Sequence, residues 1–190
     1  MNYYAESDYS YKYNFDIDWN SLAEQVHEDN VTKGFWPPEG RNFGEMIALA
    51  HSEISEAAED WDGKRLADEK VPQHMNTFVE IADCMIRLLD TGDHMGADFN
   101  ANNIEDFRDN GYGITQYRRM SENLMQVNRA LSRSLEDYRK SEMGGAADEL
   151  VIAFWLCLAI MAEHDQDAHT IVQDKLAYNR SRPFKHGKKF

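Results

Sequence analysis

Two pairs of acidic residues have the types and spacing that metal chemistry requires. Glu53 and Glu56 lie in HSEISEAAEDW, and Glu80 and Asp83 lie in FVEIADCMIRLLD. The members of each pair are three residues apart, so on a helix they share one face. Apolar residues flank both pairs, and carboxylates that face one another in a core stay ionised at low cost only when cations lie between them. Hard cations with oxygen ligands, Mg²⁺ or alternatively Mn²⁺, meet this requirement.

The stretch between the two pairs is long enough to complete one helix, turn, and begin an antiparallel neighbour that presents the second pair to the first. A single such pair is usually part of a solvated helix surface. Two pairs on consecutive apolar helices favour a metal site with all four carboxylates as ligands. A dinuclear iron site is disfavoured, because it needs Glu-x-x-His motifs on these helices and that spacing occurs at Glu24 and His27 instead.

The helices that must position these pairs follow from the apolar periodicity. No segment alternates convincingly like a strand, and we therefore predict an all-α fold, an antiparallel bundle of about six helices. Pro and Gly residues predict breaks at 33–40 and at Met143-Gly144-Gly145, and Asn42 is a predicted N-cap. The predicted helices cover approximately residues 19–32, 43–61, 74–92, 116–140, 147–163 and 168–180.

The chain of 190 residues is long enough for one domain with a substantial core. We expect residues 1–14 to form a tail and residues 15–190 to form a single helical domain, with a long polar loop at 93–113. Cys84 and Cys157 both lie on apolar helix faces, which indicates reduced core thiols of a cytosolic protein.

Composition argues against several classes of partner. The net charge of −14 and the pI of about 4.8 disfavour non-specific nucleic-acid binding, which requires a cationic surface. The N-terminal residues lack the basic start and apolar stretch of a signal peptide. The nearest candidate for a membrane span, Leu150 to Ala162, is too short and predicts a buried helix. We therefore expect a cytoplasmic protein with no membrane or nucleic-acid partner.

The order of the motifs resembles that of the all-α nucleoside triphosphate pyrophosphohydrolases, which include MazG, the dimeric dUTPases and phosphoribosyl-ATP pyrophosphatase. The small MazG-like proteins of phages and bacteria are the branch that it resembles most. HEDNVTKGFW, RNFGEMIALAHSEISEAAEDW and EIADCMIRLLD carry the N-terminal match, and DKLAYNRSRPFKHGKKF resembles the family's K-x-x-x-N-x-x-R-P-x-x-H-G-K ending. Residues 20–92 and 165–190 are covered. Residues 93–164 have no good counterpart and are either an insertion or an elaborated helical hairpin.

The resemblance implies the reaction NTP + H₂O → NMP + pyrophosphate, with Mg²⁺ held by Glu53, Glu56, Glu80 and Asp83. It implies that Glu53 or Glu56 accepts a proton from the water that attacks the α-phosphorus. Family members are homodimers or homotetramers, and we expect self-association here too. Control of a deoxynucleotide pool, removal of non-standard nucleotides, and action on dGTP in a phage modified-DNA pathway are all compatible. Such an enzyme would work in the cytosol of a bacterium or of a phage-infected host.

The C-terminal motif implies a clamp for the triphosphate. Lys175, Asn179 and Arg182 follow one another at spacings of four and three, so they can share a face as the helix ends. The alternative for this segment is a solvated basic tail. The further basic residues that the resemblance assigns to phosphate are Lys185, His186 and Lys188.

Three more residues are candidates for substrate contact. Arg87 lies four residues after Asp83 on the same face, where it can either contact phosphate or pair with the carboxylates. Lys33 and Trp36 lie in one loop with Phe35, and the aromatic rings there either stack on a nucleobase or are buried in a subunit interface. Two other functions remain open, namely hydrolysis of a phosphoribosyl nucleotide and non-catalytic binding of metal and nucleotide by a helical regulatory protein.

Overall fold

Six α-helices make up the described part of the chain, which covers residues 16–101 and 119–184 of a computed structural model. These two ranges contain no strand, and Ala67 and Met75 form an isolated bridge. The predicted all-α class is therefore confirmed, whereas the predicted tail at 1–14 and most of the predicted loop at 93–113 lie outside the described residues. The helices are α1 (Trp19–Thr32), α2 (Phe43–Asp62), α3 (Asn76–Met95), α4 (Met120–Arg139), α5 (Met143–Glu163) and α6 (Ala168–Ser181).

Short polar side chains and one glycine determine where several helices begin and end. Asn42 caps α2 by accepting a hydrogen bond from the backbone N–H of Glu45 at 3.0 Å, as predicted. Asp18 caps α1 and Asp167 caps α6 in the same way. At the end of α3, Gly96 adopts the left-handed conformation with a φ of 75°. Because N-caps are local signals, the bounds of α1, α2 and α6 lie close to those predicted.

Two predicted helix ends are wrong. α3 continues beyond Gly92, and α5 begins before Gly144 and Gly145, so these glycines lie inside helices. The chain turns between α4 and α5 at Ser141, which has a positive φ of 64°. A glycine weakens a helix by only about 1 kcal/mol, and the packing of α3 and α5 in the core outweighs that cost.

Helix α3 is at the centre of the bundle. It packs against α1, α2, α5 and α6, and its buried residues lie on all sides of the helix. α2 and α3 form one helical hairpin, and α4 and α5 form a second hairpin that packs against the first. Cys84 of α3 and Cys157 of α5 are free and fully buried, which confirms the predicted core thiols. A hydrogen bond with Cys157, together with burial, raises the pKa of Cys84, so its thiol stays neutral.

Within the described ranges, α5 is the one helix that is long and apolar enough, by length and composition alone, to cross a membrane. Sequence analysis considered only the shorter apolar run from Leu150 and expected no span. Of the apolar segment of α5, 67% is buried inside the bundle. A helix that is apolar on most sides is equally typical of a protein core, so this feature carries no conclusion about location.

Two helical glycines predict opposite effects of the same substitution. A Cβ at Gly92 would lie 2.4 Å from Cζ of Phe99, whereas a Cβ at Gly144 would have no neighbour within 4 Å. We expect Gly92→Ala to lower the melting temperature, since overpacking a core typically costs about 1–3 kcal/mol. Gly144→Ala should leave it unchanged or raise it, because Ala is the better helix former by up to about 1 kcal/mol. Thermal denaturation followed by circular dichroism measures both, and equal shifts would contradict the packing of Phe99 on Gly92.

Candidate metal centre

Helices α2 and α3 pack side by side and bring three of the four predicted carboxylates together. One oxygen atom each from Glu53, Glu80 and Asp83 can be chosen so that all three lie within 4.8 Å of one another. Glu53 is 7% exposed and Glu80 is 6% exposed, while Asp83 is half-buried at the edge of the group. We call these three residues the carboxylate triad.

Glu56 lies outside the carboxylate triad. Its side chain is exposed, and Ser52 Oγ donates a hydrogen bond to its Oε1 at 3.2 Å. A three-residue spacing leaves two side chains about 60° apart around the helix axis, because the α-helix has about 3.6 residues per turn. The same spacing places both Glu80 and Asp83 in the triad, so it is the rotation of α2 against α3 that leaves Glu56 on the solvent side of the contact. It still lines the same cleft as the triad.

Two cations pair with the carboxylate triad. The Nε atom of Arg87 donates to Glu53 Oε1 at 2.7 Å, and its Nη2 lies 2.5 Å from the same oxygen. The Nζ atom of Lys175 donates to Asp83 Oδ2 at 2.6 Å, although Lys175 is only 2% exposed. Of the two predicted roles of Arg87, pairing with a carboxylate is thus the one present in the structure.

The third carboxylate of the triad is neutralised differently. Burial and the negative charges of the neighbouring carboxylates, chiefly Asp83, raise the pKa of Glu80 to about 8, against the opposing charge of Lys175. Burial also raises the pKa of Asp83, and Lys175 again opposes the shift. At neutral pH, a proton on Glu80 and two nearby cations therefore offset the charge that burial would otherwise make costly.

Glu80 is held by a hydrogen bond from Asn76, the first residue of α3, which also contacts Asp68 in the loop between α2 and α3. In the orientation that satisfies both of its amide groups, Asn76 donates hydrogen bonds to Glu80 Oε1 at 3.3 Å and to Asp68 Oδ2 at 2.9 Å. Asp68 is buried and accepts from the backbone N–H groups of Lys70 and Val71 at 2.8 and 2.7 Å. Such outer hydrogen bonds orient a ligand side chain and set its basicity.

The donor set of the triad fits Mg²⁺ or Mn²⁺. All three side chains offer carboxylate oxygens, which are the ligands that these hard cations prefer. The oxygens lie close enough together for one ion to reach all three, and the exposed edge at Asp83 and the cleft leave room for water ligands. The three carboxylates are therefore placed where they could hold one divalent cation.

A cleft of about 260 Å³ extends from the triad across α3 to the end of α6. The predicted clamp residues Lys175, Asn179 and Arg182 all line it, and so does Arg87. Acidic and basic groups, which lie far apart in the sequence, therefore face one another across this cleft. The other predicted clamp residues lie outside the described part of the chain: Lys185, His186 and Lys188.

Lys33 and Trp36 do not line the cleft, although Phe35 between them does. The Nζ atom of Lys33 donates to the backbone oxygens of Arg180 at 2.8 Å and of Arg182 at 2.5 Å. Lys33 therefore holds the C-terminal end of α6, where orphan carbonyls attract cations. Its contact is with the backbone of the predicted clamp, not with the space that a phosphate would occupy.

A second buried carboxylate, Asp90, lies further along the same face of α3. Asp90 is 3% exposed, and its Oδ1 accepts from Trp36 Nε1 at 2.8 Å and lies 2.9 Å from His27 Nδ1. Arg41 lies 3.5 Å from its Oδ2 and 5.6 Å from the Trp36 ring centre. The hydrogen bond with Asp90 raises the pKa of His27, and burial lowers the pKa of Arg41. The Trp36 ring also packs on His94, with ring centres 4.3 Å apart.

Asp90 and Arg41 also line the cleft, although neither was among the site residues predicted from the sequence. The row Glu80, Asp83, Arg87 and Asp90 has spacings of three, four and three, which is one continuous helix face. Asp90 could therefore have been predicted from the sequence, by continuing the row from Glu80 and Asp83 along this helix face. No comparable local signal marks Arg41, which precedes α2 in a loop.

Helices α4 and α5 lie in the region 93–164, which has no good counterpart in the motif resemblance. Of the residues in 119–164, none lines the cleft. The hairpin instead packs on α2 and α3 from the side away from the cleft and supplies much of the apolar core, including Leu150, Phe154 and Ile160. The part of this region at 119–164, predicted as either an insertion or an elaborated helical hairpin, is a helical hairpin that packs on the side of α2 and α3 opposite the cleft.

Comparison with protein-family models, with curated proteins and with solved structures finds no match to this chain. The MazG-like resemblance of its motifs accordingly stays a prediction.

The raised pKa of Glu80 predicts how stability depends on pH when metal is removed by a chelator. Between pH 4.5 and about 8 the folded protein retains a proton that the unfolded chain has lost, so stability should fall as pH rises through this interval. Glu80→Gln removes this effect. Its melting temperature should exceed that of the wild type by a margin that grows up to about pH 8, at roughly 2–4 °C for each kcal/mol gained.

Glu56→Gln is the matched control, because it removes a carboxylate from the exposed rim of the cleft. Thermal denaturation at pH 5, 7 and 9 measures the margins. A margin for Glu80→Gln that does not change with pH would refute the assignment of a raised pKa to this residue.

Proposed function

We propose that this protein is a Mg²⁺-dependent nucleotide pyrophosphohydrolase that converts a nucleoside or deoxynucleoside triphosphate to the monophosphate and pyrophosphate. The observation that carries this proposal is one cleft in which a buried carboxylate triad faces Lys175, Asn179 and Arg182. A triphosphate needs cationic and metal contacts along its length, and this cleft offers both. The motif resemblance supports the same reaction.

The phosphate groups would be held between two walls of the cleft. Arg182 and Lys175 on the α6 side supply charged donors, and Asn179 between them supplies an amide. Arg87 adds donors from α3 while its Nε remains on Glu53. Mg²⁺ held by the triad would neutralise phosphate charge and lower the pKa of an attacking water.

Glu56 is the better candidate for general base among the two predicted glutamates. Glu53 is buried and paired with Arg87, which suits a metal ligand. Glu56 lines the cleft with an exposed carboxylate oriented by Ser52. A carboxylate that lines the cleft can accept the proton of a water that attacks the α-phosphorus.

The nucleobase would lie at the end of the cleft near Asp90. Phe35 lines the cleft, and the ring of the neighbouring Trp36 is fixed by its hydrogen bond to Asp90. Aromatic rings offer stacking surfaces for a base, and a buried carboxylate with fixed partners offers acceptor atoms for selectivity. This assignment uses the aromatic loop that sequence analysis connected with base stacking.

A non-catalytic metal- and nucleotide-binding protein is the second candidate function. The observation behind it is that Glu53 and Asp83 already pair with Arg87 and Lys175, so the charge cluster is held in place by contacts that require no catalytic role. Turnover distinguishes the two functions, because a binding protein would bind the nucleotide without releasing products.

The direct test is a panel of canonical and modified nucleoside triphosphates, incubated with Mg²⁺ or Mn²⁺ and with a chelator as control. We expect monophosphate and pyrophosphate in equal amounts, and only when metal is present. Release of orthophosphate would contradict cleavage at the α-phosphorus. Absence of products, despite nucleotide binding by calorimetry, would favour the non-catalytic alternative.

Neutral replacement of triad residues should abolish turnover. Glu53→Gln and Asp83→Asn each remove a negatively charged oxygen ligand. Since loss of an outer hydrogen-bond partner alone typically costs about 10–100-fold in metal affinity or activity, we expect a loss of at least about 100-fold. Glu59→Gln is the matched control, since Glu59 is an exposed carboxylate on the same helix. Steady-state rates and circular dichroism are measured together. Normal rates in both triad variants would refute the ligand assignment.

Asp90→Asn should change base selectivity more than turnover. The substitution removes the charge that holds His27 and Arg41 around the Trp36 ring. We expect a loss in kcat/KM of roughly tenfold for the preferred substrate, since hydrogen bonds to charged groups contribute about 1.5–3 kcal/mol. The four deoxynucleoside triphosphates are compared, with Asp93→Asn as control. An unchanged ranking of the bases and an unchanged KM would place the base elsewhere.

A further inference from the structure

The ion pair between Lys175 and Asp83 joins a clamp residue to a metal ligand. The ammonium lies 2.6 Å from Asp83 Oδ2, and Lys175 is 2% exposed. Asp83 is at the same time one of the three carboxylates that could hold a single ion. One side chain therefore has two alternative positively charged partners, an ammonium that belongs to the chain and a divalent cation from solution.

The two partners compete for Asp83. Divalent cations of this kind bind carboxylate oxygens at about 2.0–2.2 Å, and Lys175 Nζ is 2.6 Å from Asp83 Oδ2. An ion on the triad would consequently lie close to the ammonium, in a buried environment where like charges repel strongly. Lysine is a point charge on a flexible arm, so its ammonium can leave Asp83 by rotation of the side chain.

A displaced ammonium needs another anion, because buried lysines are rarely stable without one. Lys175 lines the cleft on the same helix as Asn179, and Arg182 follows at the end of that helix. The anion that would enter this cleft under the proposed function is a phosphate group of the substrate. The geometry thus provides both a reason for the ammonium to move and a partner for it after the move.

Arg87 is not expected to move in the same way. Two of its nitrogens, Nε and Nη2, contact the same oxygen of Glu53 at 2.7 and 2.5 Å. Its side chain is 28% exposed, so the rest of the guanidinium reaches the cleft without leaving Glu53. A rigid planar fork of this kind holds a carboxylate and a second anion together.

We propose that Lys175 is an exchangeable counter-ion of Asp83, which a divalent cation displaces so that the ammonium is transferred to the phosphate of the substrate. Binding of metal and binding of phosphate then reinforce each other through one lysine. This inference rests on the proposed function, because it takes the triad as the metal site.

The test measures Mn²⁺ binding to the full chain without nucleotide, by calorimetry and by electron paramagnetic resonance of free Mn²⁺. Lys175→Met removes the competitor, and we expect its Mn²⁺ affinity to be at least about tenfold higher than that of the wild type. Lys70→Met is the matched control. Lys70 also lines the cleft but is exposed, and among the described residues it has no ion pair with the triad. Its affinity should equal that of the wild type.

Coupling is measured with sulfate, a phosphate analogue that binds Mn²⁺ weakly in solution, at constant ionic strength. Sulfate should raise the Mn²⁺ affinity of the wild type severalfold and that of Lys175→Met much less. A wild-type protein that binds Mn²⁺, together with a Lys175→Met variant that binds it no more tightly, would overturn the exchange and leave the proposed function standing. A wild type that binds Mn²⁺ no better than Glu80→Gln would overturn both.

A second measurement uses the wild-type chain, because Lys175→Met leaves a buried carboxylate without its cation and can cost stability. The ¹⁵Nζ resonance of a buried, ion-paired lysine differs from those of exposed lysines, and Lys175→Arg identifies it. Titration with diamagnetic Mg²⁺ should shift or abolish this resonance in parallel with saturation of the site. A resonance that stays unchanged while Mg²⁺ binds would refute displacement of the ammonium.

Discussion

Three carboxylates, two of them buried, are packed together between two adjacent helices, and the charges around them shape the whole bundle. Glu53, Glu80 and Asp83 would repel one another and lose hydration without compensation. The chain offsets these costs with Arg87, with Lys175 and with a pKa of about 8 at Glu80. Under the proposed function, a divalent cation would take over the role of the proton and of the ammonium. The concentration of negative charge at the triad, which lowers stability, is therefore also the basis of the proposed chemistry.

The arrangement of the helices brings compensating positive charge to the carboxylate triad. Lys175 is distant from Asp83 in sequence, and only the return of α6 to the side of α3 brings the two together. The hairpin of α4 and α5 covers the opposite side of α2 and α3 with apolar residues. That cover keeps the back of α3 dry, which strengthens every charge interaction on its cleft face. Support and chemistry thus come from different parts of the chain.

Asp90 extends the same principle to the other end of the cleft. It is a second buried carboxylate on the cleft face of α3, and its partners are His27, Trp36 and Arg41 in place of a metal. One helix face therefore carries two acidic centres with different surroundings. Under the proposed function, the first would hold metal and phosphate and the second would lie beside the base. Lys33 links the neighbouring loop to the end of α6, so that the aromatic loop and the predicted clamp are held together.

Local patterns of residues predict the all-α class, the N-cap at Asn42 and the helical spacing of the two acidic pairs, because helix periodicity and capping depend on residues a few positions apart. It misjudged the glycines near Ser141, where core packing outweighs local propensity. The packing of the helices, in contrast, leaves Glu56 outside the triad, pairs Lys175 with Asp83, and brings Lys33 to backbone carbonyls. These contacts join residues that are distant in sequence. They depend on how each helix is rotated and placed against its neighbours, and the burial and charge of the whole fold determine that placement.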